Sequence, residues 1–466
     1  MDLGAAVGGP WSTRGTEIVS MGRRRRPVVI GVFCKAGPIR LLAGSHRGEL
    51  KIVGLIQTTR GRAGRRVGTA LAGLALAATL AACGSSDEQS GTASAKGVTD
   101  TQIVLGGTAP LTGPVAASCL EYTESAEAWF KHVNDKGGVN GRQIVWDPLD
   151  DAYDLVRAGA NARTLVDSDI FAIFGGCGSI QPPVVEQQAE KAKVPYLFPT
   201  AFLPALYNPV QQYTFAQFPS YGTQLVSLVP YAFDKYGKGT VGAVMLQTPG
   251  IDQALAEIKK DVQEAGAQYV DSDYLTATTS DFTPFVLKLK QANPDYVLTN
   301  LPPANMLQFE KAAQAQGFAP GKAYLNAQAL ASAQFTDPLM SSGKNLLGGK
   351  VLATVATASP EDPTSAECAA AITQYAPKYT VNYVTLAGCT GAVFMTSVLQ
   401  KMGDDLTRDN LIATLQGLKD VSLAPNALPV TLTAQDHLAT KKVYVVQLGD
   451  DGKWQQQGSV DIDTNF

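Results

Sequence analysis

Histidine is scarce in this chain: His46, His132 and His437 are the three in 466 residues. That is few for an enzyme of such length, because histidine is the side chain most often used to move protons near neutral pH. There is no Gly-x-Ser-x-Gly elbow and no His-Glu-x-x-His zinc motif, so the common hydrolase signatures are missing. Gly175-Gly176-Cys177-Gly178 is glycine-rich, but no Gly-Lys-Ser/Thr follows it; it is not a phosphate loop. Charge is thin as well. Charged residues make up 17% and the net charge is -3, so no basic field awaits a nucleic acid. Asp150, Asp151 and Asp154 lie close together, yet they lack the glycine and closing glutamate of a calcium loop. They are expected to form a solvated turn, with no metal and no cofactor. No repeat of 20–50 residues marks a solenoid.

What is present is apolar residue and glycine. Hydrophobic residues are 45% of the chain and glycines number 45. The length suits two or three domains, the composition can bury a large core, and the glycines fit many strand-to-helix turns.

The first hundred residues read as an address. Residues 60–66, Arg-Gly-Arg-Ala-Gly-Arg-Arg, are basic, and Val67–Ala82 is a run of small apolar residues. At 16 residues the run falls short of the ~20 needed to cross a bilayer as a helix. A basic stretch before a short apolar one is the layout of a secretory signal. It ends at Leu80-Ala81-Ala82-Cys83-Gly84, which resembles a bacterial lipobox. That resemblance implies an exported protein held at the outer face of the cytoplasmic membrane by lipid on Cys83. Residues 60–82 are then the signal and 83–96 a flexible polar tether. Residues 1–59 sit upstream without usable periodicity. Translation is expected to start downstream of Met1, and a precursor whose intact mass includes Met1 would contradict this.

Beyond Cys83 the exported part holds Cys119, Cys177, Cys368 and Cys389, an even number in an oxidising compartment. Three pairings are open to four cysteines. Nearness in sequence favours Cys119–Cys177 and Cys368–Cys389 without settling the matter.

From Gln102 onward strands alternate with helices. Strands are expected at 102–107, 142–146, 170–174 and 195–198, with helices at 120–136, 155–167 and 182–193 between them. In the first helix Ala126, Trp129, Phe130 and Val133 follow the i, i+3, i+4, i+7 spacing of an apolar face. The series resumes with strands at 241–246, 268–274, 296–299 and 323–325, separated by helices at 251–265, 282–292 and 304–317. Three further helices, 361–375, 384–402 and 407–418, precede a strand at 442–448 and a turn at 450–453. Such alternation predicts right-handed βαβ units and parallel sheets, an α/β class with two doubly wound lobes.

Several stretches, in order, are similar to the branched-chain amino acid (leucine/isoleucine/valine) binding family of the type I periplasmic-binding-protein fold. They are Ala109-Pro-Leu-Thr-Gly-Pro-Val115, Asn134-Asp-Lys-Gly-Gly-Val-Asn-Gly-Arg142, Asp150-Asp-Ala-Tyr-Asp154, Phe174-Gly-Gly-Cys-Gly-Ser179 and Val194-Pro-Tyr-Leu-Phe-Pro-Thr200. Weaker matches follow at Asp281-Phe-Thr-Pro-Phe285 and Pro294-Asp-Tyr-Val297. The resemblance spans residues 97–460. It implies two lobes joined by a three-strand hinge, 97–218 plus 356–437 and 219–355 plus 438–466, with a small ligand in the cleft. It also implies a non-enzymatic monomer that feeds the permease of an ATP-binding-cassette importer. The same pair of lobes could instead signal ligand to a membrane partner, and an exported hydrolase is the third reading.

In that family, first-lobe hydroxyls and backbone N–H groups hold the ligand's carboxylate. The matching positions here are Ser179, just before a helix, and Thr200 and Ala201 in the next loop. Ser179 is equally suited to cap that helix. Other positions depart from the pattern: Phe202 stands where a polar contact is usual, and Ser118 where an aromatic is expected. Aromatics of the second lobe align with Pro249 (or Gly250) and Pro302, and the acid that pairs with an ammonium aligns with Gln328. A buried ammonium needs a charge partner or several acceptors. These departures predict a ligand other than a simple amino acid, with Phe202, Tyr221 and Tyr122 as candidates for an apolar wall.

Overall fold

Among the described residues the alternation folds into two large sheets and one two-stranded pair. The computed structural model describes residues 95–178, 180–276, 279–327, 330–341, 347 and 350–464. The signal, Cys83, the tether up to residue 94, Ser179 and Gln328 lie outside the described residues.

In the first lobe the chain runs β1 (Gln102–Gly106), β2 (Thr108–Ala109), α1 (Ala116–Asp135), β3 (Gln143–Trp146) and β4 (Leu149–Asp150). It continues through α2 (Leu155–Asp167), β5 (Ala172–Phe174), α3 (Pro182–Ala192), β6 (Tyr196–Leu197) and β7 (Thr214–Phe215). Five strands pair in the order β3-β1-β5-β6-β7, every pair parallel. β5 is buried at all three residues, as a central strand covered on both faces must be. Local chemistry starts the helices. Asp154 caps α2 by accepting from Arg157 N at 2.8 Å, one of the donors a helix start leaves unpaired.

The second lobe runs α4 (Tyr221–Tyr236), β8 (Val241–Leu246), α5 (Ile251–Glu264), β9 (Tyr269–Leu275), α6 (Thr283–Ala292) and β10 (Tyr296–Thr299). Then come α7 (Pro303–Ala315), β11 (Ala323–Asn326), α8 (Ala333–Met340) and β12 (Val351–Val355). The chain next returns to the first lobe as α9 (Ala366–Tyr375), α10 (Tyr383–Met402) and α11 (Arg408–Gln416). It ends in the second as β13 (Lys442–Leu448) and β14 (Trp454–Asp461). The second sheet has the order β14-β13-β12-β11-β10-β8-β9. Its last two strands are antiparallel, so a hairpin finishes an otherwise parallel sheet.

Three crossings join the lobes: after β7, after β12 and before β13. The first and third lie side by side, with Ala216 N donating to His437 O and Ala439 N to Ala216 O, both at 2.9 Å. α10 is apolar and long enough to span a bilayer, but 89% of its apolar window is buried, and it is a core helix. It lies close against α1, since a Cβ added at Gly388 would stand 2.3 Å from Tyr122 O. Phe130, Trp146 and Phe174 fill the space beneath with edge-to-face contacts at 5.2–5.6 Å, the arrangement ring quadrupoles favour. The cysteines pair as Cys119–Cys177 and Cys368–Cys389, with Cα separations of 5.7 and 6.0 Å.

Some elements left no readable mark. α4 and α8 carry internal prolines, Pro230 and Pro338, which mask a helical pattern. β7 has two residues, β14 is a polar edge strand, and β12 is a short apolar run whose period cannot be told. The helix expected at 361–375 begins at Ala366, because Asp362 and Pro363 first set a short 3-10 turn. The solvated turn expected at Asp150–Asp154 is also corrected. Asp151 is fully buried, accepting from Thr108 Oγ1 at 3.1 Å and Tyr153 N at 2.9 Å.

Candidate functional site

Loops leaving the carboxyl ends of strands in the two sheets meet each other, which is where open α/β sheets hold ligands. Two contacts mark the meeting. Gly250, the residue before α5, faces Pro204 of the first lobe so closely that an added Cβ would lie 2.7 Å from its ring. At the other side Gln334 on α8 reaches α1: Nε2 donates to Ala117 O at 2.8 Å and to Glu121 Oε1 at 2.7 Å. Its Oε1 accepts from Ser118 Oγ at 3.1 Å. Glu121 also accepts from Asn382 Nδ2 at 3.3 Å. Burial pushes the Glu121 carboxyl up from its ordinary value, against those hydrogen bonds. A cavity of about 360 Å³ opens beside this contact, between Glu121, Gln334, Asp337, Lys378, Tyr379 and Asn382.

The first-lobe wall has a polar end and an aromatic run. Its polar end is the loop after β5, where Gly175, Gly176 and Gly178 all take positive φ, conformations that glycine alone adopts freely. The loop is tied both to the strand and loop beside it and to α1. Thr200 N donates to Gly176 O at 2.8 Å, and the Cys119–Cys177 disulfide anchors it to α1. α3 starts just beyond, and its N-terminal N–H groups and dipole favour negative charge. A cavity of about 10 Å³ lies under the loop against Trp146, Thr200 and Gln217, about one water in size.

The aromatic run crosses between lobes. Phe202 stacks on Tyr221, the first residue of α4, at 4.6 Å, and on Phe218 at 5.1 Å. Tyr122, Cys119, Cys177, Ala356 and Val384 pack into the same apolar cluster. Burial pushes the phenols of Tyr122 and Tyr221 well up, with neighbouring side chains adding to it. Both stay neutral.

The proposed positions thus fall in different settings. Thr200 and Phe202 are buried in this wall, and Ala201 packs into the adjoining core. Ser118 is engaged by Gln334. Pro249 is exposed in the loop after β8, and Pro302 is half-buried just before α7. Ser179 and Gln328 lie outside the described residues. Four groups at these strand ends were missed. Tyr153 holds φ +62°, a conformation costly for a bulky residue and typical of functional sites. Gln181 and Asn326 are buried amides whose side-chain atoms have no hydrogen-bond partner. Gln334 bridges the lobes. Only the Asp150–Asp154 match hinted at Tyr153; nothing local marked the others. Among the described residues no cluster of His, Cys, Asp and Glu could hold a metal.

Asp150 shows how the neighbouring loop is held. Burial pushes its carboxyl up, but donors from Thr112 Oγ1 and the N–H groups of Ala152, Thr112 and Leu111 outweigh that and bring it to about 2. The segment at 111–112 is thereby fixed to the turn that carries Tyr153.

Comparison with known proteins agrees with this architecture. The model of a family described as periplasmic binding protein matches residues 102–453. A leucine-, isoleucine-, valine-, threonine- and alanine-binding protein of Pseudomonas aeruginosa is 28% identical over 198 residues, 42% of this chain and 52% of that protein. A Leu/Ile/Val-binding protein homolog of Brucella abortus is 30% identical over 212 residues, 43% of this chain and 54% of that one. The chain spans about half the length of the curated relatives it matches. Among solved structures, a fatty acid ABC transporter substrate-binding protein from Thermomonospora curvata superposes with a TM-score of 0.71 at 23% identity, covering 81% of this chain and 97% of that one. A branched-chain amino acid ABC transporter protein from Thermus thermophilus with bound valine gives 0.68 at 16%, covering 78% and 98%. These likenesses show the fold.

Proposed function

Because the chain belongs to the periplasmic-binding-protein family, we propose that it captures a small ligand between its lobes and delivers it to an ATP-binding-cassette importer. In this reading it is exported, and lipid on Cys83 holds it at the outer face of the cytoplasmic membrane. It performs no catalysis and needs no cofactor. The ligand is a small carboxylate or related polar compound with an apolar body.

One observation carries the ligand reading: a loop of positive-φ glycines at a helix start stands next to a stacked aromatic run. Ser179, Thr200 and the backbone at Ala201 take the polar end, and Phe202 takes the apolar body. From the second lobe the proposed contacts are Pro249, Pro302 and Gln328. Relatives named for leucine, isoleucine and valine, and a fold neighbour named for fatty acids, support both halves of that description.

The test is a melting-temperature screen with branched-chain and aromatic amino acids, short acyl and aromatic carboxylates, amides and polyamines. A ligand at about 100 times its dissociation constant stabilises by about 2.7 kcal/mol, a readable shift. If leucine, isoleucine or valine gives the shift, the reading of Phe202 and Gln328 fails and an ordinary amino acid ligand stands. If nothing in the panel shifts the transition, the small-ligand proposal fails.

A further inference from the structure

Gln181 is the residue before α3 and is 2% exposed. Neither its side-chain Oε1 nor its Nε2 has a hydrogen-bond partner, and the side chain does not cap its own helix. Buried amides are nearly always paired, so an orphan calls for a reason. Its position supplies one. Gly178 has φ +118°, and a Cβ added there would lie 2.5 Å from Gln181 Oε1 and 3.2 Å from Tyr153 Cε2. The amide therefore lies against the glycine loop at the start of an 11-residue helix, beside the strained Tyr153.

A carboxylate only accepts hydrogen bonds. It would engage Nε2 and leave Oε1 facing another acceptor, whereas a primary carboxamide carries both a donor and an acceptor. We infer that Gln181 contacts the ligand, and that the head group it meets is of the carboxamide class, pairing with both ends of the Gln181 amide. The inference rests on the proposed binding role and deepens it. The ligand's apolar body then runs along Tyr153, Tyr221 and Phe202.

The experiment is calorimetric titration of the purified protein and its Gln181→Leu variant with three matched pairs. These are isovalerate and isovaleramide, phenylacetate and phenylacetamide, leucine and leucinamide. The amide of at least one pair is expected to bind more tightly than its acid. Gln181→Leu should weaken that amide by about tenfold and its acid by less, so that the preference for the amide disappears. Leucine is similar in volume, though branched one carbon earlier, and removes the orphaned atoms, so the melting temperature without ligand should hold or rise.

Preference for the acid in every pair that binds overturns the inference and leaves the binding role standing. Equal amide affinity in Gln181→Leu also overturns it, as does a lower melting temperature of that variant without ligand, which marks a structural role. If no compound binds the unaltered protein, the binding role falls and this inference with it.

Discussion

Gln334 of the second lobe donates to Glu121 of the first at 2.7 Å, joining α8 to α1 across the cleft. The two residues are 213 positions apart, and Glu121 is 4% exposed. With the bonds to Ser118 and Ala117, one glutamine makes three links between lobes. We predict that Gln334→Ala favours the open form by about 1–3 kcal/mol, because a buried carboxylate loses a donor. Stopped-flow measurement should then show faster ligand dissociation, about tenfold or more. An unchanged dissociation rate would mean that this bridge does not hold the closed form.

Tyr153 combines a bulky side chain with φ +62°. Glycine adopts that conformation without the penalty of a Cβ. Tyr153→Gly is predicted to be more stable than Tyr153→Ala by about 1 kcal/mol, while both lose ligand affinity relative to tyrosine. Urea unfolding and calorimetry on the pair check this. If the alanine variant is the more stable, the strain argument is wrong.

Glu186 gives a pH prediction. Burial, with Glu190 adding, pushes its carboxyl up to about 7. The folded state then holds this proton more tightly than the unfolded state, where glutamate titrates near 4.3. The stability it contributes is fully present below that value and is lost as pH rises through about 7. Glu186→Gln, compared with the parent at pH 5 and pH 8, should remove a loss on the order of 2 kcal/mol. Parallel pH dependence of the two proteins would show that Glu186 does not titrate in this range.

The disulfides differ in the loops they close. Cys119–Cys177 spans 58 positions and Cys368–Cys389 spans 21. Chain entropy assigns about 4 kcal/mol to the first and about 3 to the second. The Cys119→Ala/Cys177→Ala protein should also lose ligand affinity, because that link anchors the glycine loop. Cys368→Ala/Cys389→Ala should lose stability alone. Equal affinity in the two proteins would separate the disulfide from the site.

The architecture was legible where period and punctuation agree. α2 lies at Leu155–Asp167 and β10 at Tyr296–Thr299, the bounds expected from the pattern. The loops of the candidate site were legible too, because parallel strands direct the loops at their carboxyl ends to one edge of the sheet. The contacts within them could not. Ser118 and Gln334 are 216 residues apart, and no local pattern announces their bond. The φ of Tyr153 and the orphaned amide of Gln181 belong to the folded loop. Asp151 read as solvated because its spacing is that of a turn, and only the buried Thr108 beneath it explains why it is not.

Capture of a small ligand between the lobes should draw them together. Labels on Val156 of the first lobe and Leu287 of the second, both exposed at 77% and 47%, would report their separation by energy transfer during titration with the small-molecule panel. A saturable change in that distance is expected, with the same concentration dependence as binding measured by calorimetry. Saturable binding with an unchanged distance, or no binding by any panel compound, would contradict it.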